Sequence, residues 1–197
     1  MDHENGKIEE IIEKLSTNGN ETLDPTLTKQ LKVYCKSLND IAQQELGYNR
    51  IGRLILYQLQ RNHAQIRYSA LLIVEYLFER AHRFRLFMCN HLDDFFKLCL
   101  DIKGFNRVNI DVSDHLADVE PRNKKQRKQK SEPLRPIVWA TKLREKALQC
   151  FSYWYTEFGN AYQALKIGHT FLTKNGAIMQ RTSNVITMPQ QAPLHNE

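Results

Sequence analysis

The chain has 197 residues, 42% of them hydrophobic and 25% charged, and a formal net charge of +6. These are globular proportions, which exclude wholesale disorder, and the length suffices for one domain with a sizeable core. No apolar run reaches the roughly 18 residues of a membrane span, and the polar start MDHENGKIEE is not a signal peptide, so an intracellular, soluble protein is expected.

Strand signals are nearly absent, and helical periodicity recurs along the chain. Ile8, Ile11, Ile12 and Leu15 make a first short helix, ending in the turn-rich STNGN. Asp24-Pro25 then reads as an N-cap followed by proline at the first helical position. Behind it Leu27, Leu31, Tyr34, Cys35 and Leu38 share one face. The stretch NDIAQQELGYN (39–49) is ambiguous, a short helix and a turn being one reading of it. From Arg50 to Arg61, Ile51, Leu54, Ile55 and Leu59 predict another helix.

The stretch HAQIRYSALLIVEYLFERAHRFRLFMCN (63–90) carries two apolar stripes. Ile66, Ala70, Ile73, Val74, Leu77, Phe78 and Ala81 fill one broad face, and Tyr68, Leu72 and Tyr76 run nearly opposite. A helix covered from two sides belongs inside a stacked helical array; a plain bundle with some exposed aromatics is the competing reading. Phe84, Phe87 and Met88 continue in a short helix, and Leu92, Phe95, Phe96, Cys99 and Leu100 make the next. The segment 103–136, with Pro121, Pro133 and Pro136, reads as a long solvated loop. Helical spacing resumes through Ala140, Leu143, Ala147, Phe151, Trp154, Phe158, Tyr162 and Leu165, with Gly159 expected as a bend or close contact and not a stop. Residues 176–197 are expected to be a disordered tail, leaving one domain over 1–175.

Catalytic signatures are missing: the sequence has no G-x-G-x-x-G, P-loop, H-E-x-x-H or serine elbow. Cys89 and His91 are two apart, with nothing nearby to complete a metal set. Asp93-Asp94 and Glu9-Glu10 are neighbours that diverge on a helix and so make poor acid–base partners. The expectation is a protein that is not an enzyme and holds no cofactor or metal. The four cysteines, Cys35, Cys89, Cys99 and Cys150, are scattered and read as thiols packing like small hydrophobes. Cys35→Arg would place a charge on an apolar face, with an expected cost of about 3–5 kcal/mol.

The net charge has one source. Arg122, Lys124, Lys125, Arg127, Lys128 and Lys130 lie in PRNKKQRKQK (121–130) without an acid, and they equal the whole positive excess. A solvated loop, a nuclear localisation signal and phosphate contact all remain open for this run. With no interleaved aromatics, nucleic-acid contact there would be non-specific and salt-dependent. Arg67, and Arg83 and Arg85 on either side of Phe84, lie beside apolar faces, which is the composition of an interface. Arginines that cap carbonyls or extend over the core edge account for the same pattern.

Two separated blocks, HAQIRYSALLIVEYLFERAHRFR (63–85) and WYTEFGNAYQALKIGHTFLTKN (154–175), resemble the N-terminal domain of the UV-stimulated scaffold protein A family. The first carries I-R-x-S-A-x-x-I-V-E-x-L-F-x-R-x-H-x-F-R and the second W-x-x-x-F-G-x-A-Y; CKS at 35–37 fits the same pattern. The resemblance spans most of residues 7–175. It implies an all-α, right-handed superhelix of about eight helices, similar to VHS and ENTH domains. It also implies a nuclear, chromatin-associated scaffold in transcription-coupled nucleotide excision repair. The implied partners are the Cockayne syndrome A protein with its ubiquitin ligase and the RNA polymerase II elongation complex. The family's acidic TFIIH-binding motif and cysteine-rich zinc region are not visible, as expected of a short or truncated form. SLNDIAQQELGYNR (37–50) and the basic run look like additions and inherit no family role.

On this reading Arg67, Phe84 and Arg85, with Trp154, Phe158 and Tyr162, are the expected docking surface. Trafficking adaptors of the VHS and ENTH kind, which bind sorting peptides, ubiquitin or phosphoinositides, are the alternative. The acid-rich residues 2–13 argue against lipid binding. A related helical array that binds the phosphorylated polymerase tail is a third reading.

Overall fold

The computed structural model describes residues 2–105 and 133–178. Among them are eight helices and no strand: α1 (Asp2–Thr17), α2 (Pro25–Ser37), α3 (Ile41–Gln60), α4 (Ala64–Arg80), α5 (His82–Asn90), α6 (Leu92–Leu100), α7 (Ile137–Phe158) and α8 (Gln163–Lys174). This is the all-α stacked array expected of a VHS-like superhelix. The basic run at 121–130 and residues from 179 onward lie outside the described residues, as does most of the segment read as a long loop. Among the described residues no helix is long and apolar enough to cross a membrane.

Local chemistry sets the helix starts. Asp24 caps α2 by accepting a hydrogen bond from the Leu27 amide at 2.9 Å, with Pro25 in the first turn. Asp40 does the same for α3, accepting from the Gln43 amide at 2.7 Å. Residues 41–60 form one continuous helix, not a short helix, a turn and a second helix. The first turns of α3 extend past the core, leaving Ile41 and Leu46 69% and 73% exposed, so no apolar face marked them as helical.

Helix α4 is the inner helix. It packs against α1 and α3 on one side and α7 on another, with α5 and α6 at its end. Ala70, Leu71, Ile73, Val74 and Phe78 have no exposed surface, while Tyr68 and Tyr76 of the second stripe are half-buried. Burial on both faces explains why this helix has so little polar surface. Phe78 stacks on Trp154 of α7 with ring centroids 4.1 Å apart, and Phe95 of α6 closes on the same indole at 5.4 Å. A half-buried ion pair, Lys146 to Glu75 at 2.7 Å, also joins α7 to α4. None of the four cysteines is in a disulfide; Cys89, Cys99 and Cys150 are buried and Cys35 is half-buried.

Gly159 stops a helix, contrary to the expected bend. Helix α7 ends at Phe158, the Gly159 amide donates to the Tyr155 carbonyl at 2.9 Å, and the chain turns before α8. The apolar spacing runs on through Leu165 because α8 packs back onto the same core, not because the helix continues. At the far end of α8, Gly176 takes a φ of 68° and closes a Schellman turn. The Gly176 amide bonds Thr173 and the Ala177 amide bonds Leu172, at 3.0 and 2.9 Å. Ala177 and Ile178 pack against the core beyond that turn.

Gly52 lies where α3 meets α5, and a Cβ there would stand 2.2 Å from the Phe87 ring. That ring has little freedom to move: it stacks on His91 at 4.1 Å and neighbours Phe84. Gly52→Ala is therefore expected to destabilise by about 1–3 kcal/mol, despite the better helix propensity of alanine. Urea denaturation followed by circular dichroism checks this, and an unchanged midpoint would show that the two helices separate freely there.

Candidate docking surface

Helix α4 ends at Arg80, and the chain bends at Ala81 before α5 begins. Arg85, one turn into α5, reaches back across that bend. Its Nη1 donates to the Phe78 carbonyl at 2.7 Å and to the Glu79 carbonyl at 3.2 Å. These are among the last carbonyls of α4, which have no partner within the helix and lie at the negative end of its dipole. Arg85 Nε donates to the Tyr162 hydroxyl at 3.1 Å, and the guanidinium lies over the Phe158 ring, 4.6 Å from its centroid. His82 Nδ1 is 2.6 Å from the same hydroxyl. Arg85, Phe158 and Tyr162, all singled out from sequence, thus converge from α5, the end of α7 and the turn before α8.

Beside them, α5 and α8 enclose a groove of about 410 Å³. Leu86 and Asn90 form one wall, Tyr162 and Gln163 the other, and Cys89 and Ile167 line it deeper in. Leu86 is 38% exposed. An apolar seat, an amide rim and an arginine clamped in place suit the binding of a protein surface.

The other sequence-predicted contacts do not belong here. Phe84 and Trp154 have no exposed surface, so the contact role expected of them lapses; both are core aromatics. Arg67 lies elsewhere, donating from Nε to the Arg61 carbonyl at 2.7 Å and from Nη1 to the Leu98 carbonyl at 2.9 Å. It ties the end of α3 to α6 and is a structural cap, as is Arg85 in part. Burial lowers the Arg67 pKa, and Cys99 and Asp101 act in the opposite direction. Arg83, on the same helix as Arg85, is half-buried. His91 Nδ1 lies 2.8 Å from the Phe87 carbonyl, a packing role for the histidine considered beside Cys89.

Sequence reasoning missed His82 and Leu86. Leu86 was within reach of it: on a helix whose core face carries Phe84, Phe87 and Met88, residue 86 points away from that face. His82 gave no comparable signal, because its partner Tyr162 is 80 residues distant.

A family model for the UVSSA N-terminal domain matches residues 4–110. The chain is 31% identical over 186 residues to UV-stimulated scaffold protein A of Rattus norvegicus, covering 94% of this chain and 21% of that protein. The Bos taurus protein of the same name is 31% identical over 166 residues, 84% of this chain and 20% of that protein. A UV-stimulated scaffold protein A homolog of Arabidopsis thaliana is 30% identical over 168 residues, 85% of this chain and 20% of its own length. The chain therefore spans about a fifth of the length of the curated relatives it matches.

Proposed function

This chain belongs to the UV-stimulated scaffold protein A family by its N-terminal domain, and we propose that it is a non-catalytic docking domain of transcription-coupled nucleotide excision repair. Its partner is the Cockayne syndrome A protein, the substrate receptor of a ubiquitin ligase at lesion-stalled RNA polymerase II. It works in the nucleus on chromatin. The observation that carries this reading is the Arg85–Phe158–Tyr162 assembly, whose Tyr162 also lines the α5–α8 groove. Docking is stronger when the contact groups are already held in place, since less side-chain entropy is lost on binding. Arg85 is held by three hydrogen bonds and an aromatic face, which meets that condition.

The test is a titration of the whole chain against the Cockayne syndrome A protein bound to its ligase adaptor, at physiological salt. Arg67→Glu and Arg85→Glu are poor probes, because each would break carbonyl caps and disturb the fold. Leu86→Glu is better, since the side chain is partly exposed and its loss should leave thermal unfolding unchanged. We expect it to weaken binding by about tenfold or more. Wild-type affinity in Leu86→Glu would remove this surface, and no binding by the folded wild type would remove the partner.

A further inference from the structure

We propose that the domain carries a second docking site, a groove between α1, α2 and α3 that takes an acidic peptide with leucine-like anchors. It is built from other helices than the α5–α8 surface and does not depend on the reading given for that surface. The groove encloses about 960 Å³ where α3 extends beyond the core. Leu38 forms part of its apolar lining, packed so closely on Gly47 that a Cβ there would come within 2.6 Å of the leucine. Leu54 is half-buried in the lining, and Leu46 stands on the rim, 73% exposed. An apolar side chain from a partner would bury Leu46 and the lining together.

Charge selects the occupant. Among the described residues, Glu9 is the only carboxylate of the acid-rich α1 that lines the groove, and Arg50 already pairs with it at 2.9 Å. Arg53 is exposed and makes no hydrogen bond or ion pair with the described residues. Leu46, Arg50 and Arg53 follow one another at four and three residues along α3, so the leucine and both cations share one helical stripe. The described lining therefore has one positive charge in excess, set beside apolar surface. Asn39 and Gln43 add amide groups at the edge, able to hydrogen-bond a peptide backbone. Glutamates would answer Arg53, while leucines on the same peptide would fill the groove; a basic or purely polar segment could not do both.

The experiment is fluorescence anisotropy with the whole chain and three labelled peptides of equal length. One alternates leucine and glutamate in a helical pattern, the second has lysine for each glutamate, and the third has serine for each leucine. Saturable binding of the leucine–glutamate peptide alone is expected. Arg53→Glu and Leu46→Asp should each weaken it by about tenfold, while Leu86→Glu leaves it unchanged. Both α3 substitutions fall on exposed positions, and unaltered circular dichroism and thermal unfolding would show that they fold. Three results would overturn the proposal: no binding of the leucine–glutamate peptide, comparable binding of either control peptide, or wild-type affinity in both α3 variants.

Discussion

A Trp154→Ala chain is expected to lose about 3–5 kcal/mol of folding stability, or roughly 6–20 °C of melting temperature for a domain of this size. Trp154 is the largest fully buried side chain and has contacts on several sides. Phe78 stacks on it at 4.1 Å with an interplanar angle of 16°, and Phe95 lies 5.4 Å away. Truncation removes the surface that joins α7 to α4 and α6 and leaves a void that these aromatics cannot close without moving helices. The indole Nε1 is buried and makes no hydrogen bond among the described residues. A Trp154→Phe chain keeps most of the apolar contact without that unpaired N–H, so its loss should be smaller, about 1–2 kcal/mol. Urea denaturation of the two variants side by side checks the ordering. Equal losses would mean that the indole, and not its volume, is what the site requires.

Cys35→Arg is expected to cost about 2–4 kcal/mol, somewhat below what burial of a full charge would give. Cys35 packs against the core on the same face of α2 as Leu31, which is fully buried. Burial pushes the thiol up to about 11, while a hydrogen bond with Tyr48 of α3 acts the other way. Arginine would lose the Tyr48 contact and force a guanidinium between α2 and α3. Because the position is only half-buried, part of the side chain could extend toward solvent, which lowers the penalty. Cys35→Ala, with neither a charge nor a hydrogen-bonding group, separates the two causes. An alanine variant as unstable as the arginine variant would assign the loss to the thiol's own contacts, the Tyr48 bond among them, and not to charge.

The parts of this fold that could be read from sequence are those written in local spacing. Two apolar stripes on residues 66–81 meant cover on two sides, and α1, α3 and α7 supply it. Asp24-Pro25 marked the start of α2 because an N-cap is a contact over three residues. The beginning of α3 was not legible, since a helix that leaves the core has no apolar face to reveal it. Gly159 was misread because α7 and α8 return to the same core, and their combined spacing imitates one helix. The surface was legible only as a list of residues. Arg85, Phe158 and Tyr162 meet across 77 residues of sequence, and nothing local distinguished them from Arg67, which caps other helices, or from Trp154, which is core.

The position of α4 has a consequence for how the chain is made. When α6 leaves the ribosome, the side of α4 that Trp154 will cover is still bare, and it contains Phe78, a residue with no exposure in the finished fold. The whole of 101–136 must be translated before α7 begins, several seconds at about 5–20 residues per second. Through that interval the nascent chain displays a large aromatic surface, which is the kind of surface that chaperones bind and that drives aggregation. The segment between α6 and α7 therefore sets a waiting time in biogenesis, and every residue added to it would lengthen the interval in which Phe78 is uncovered.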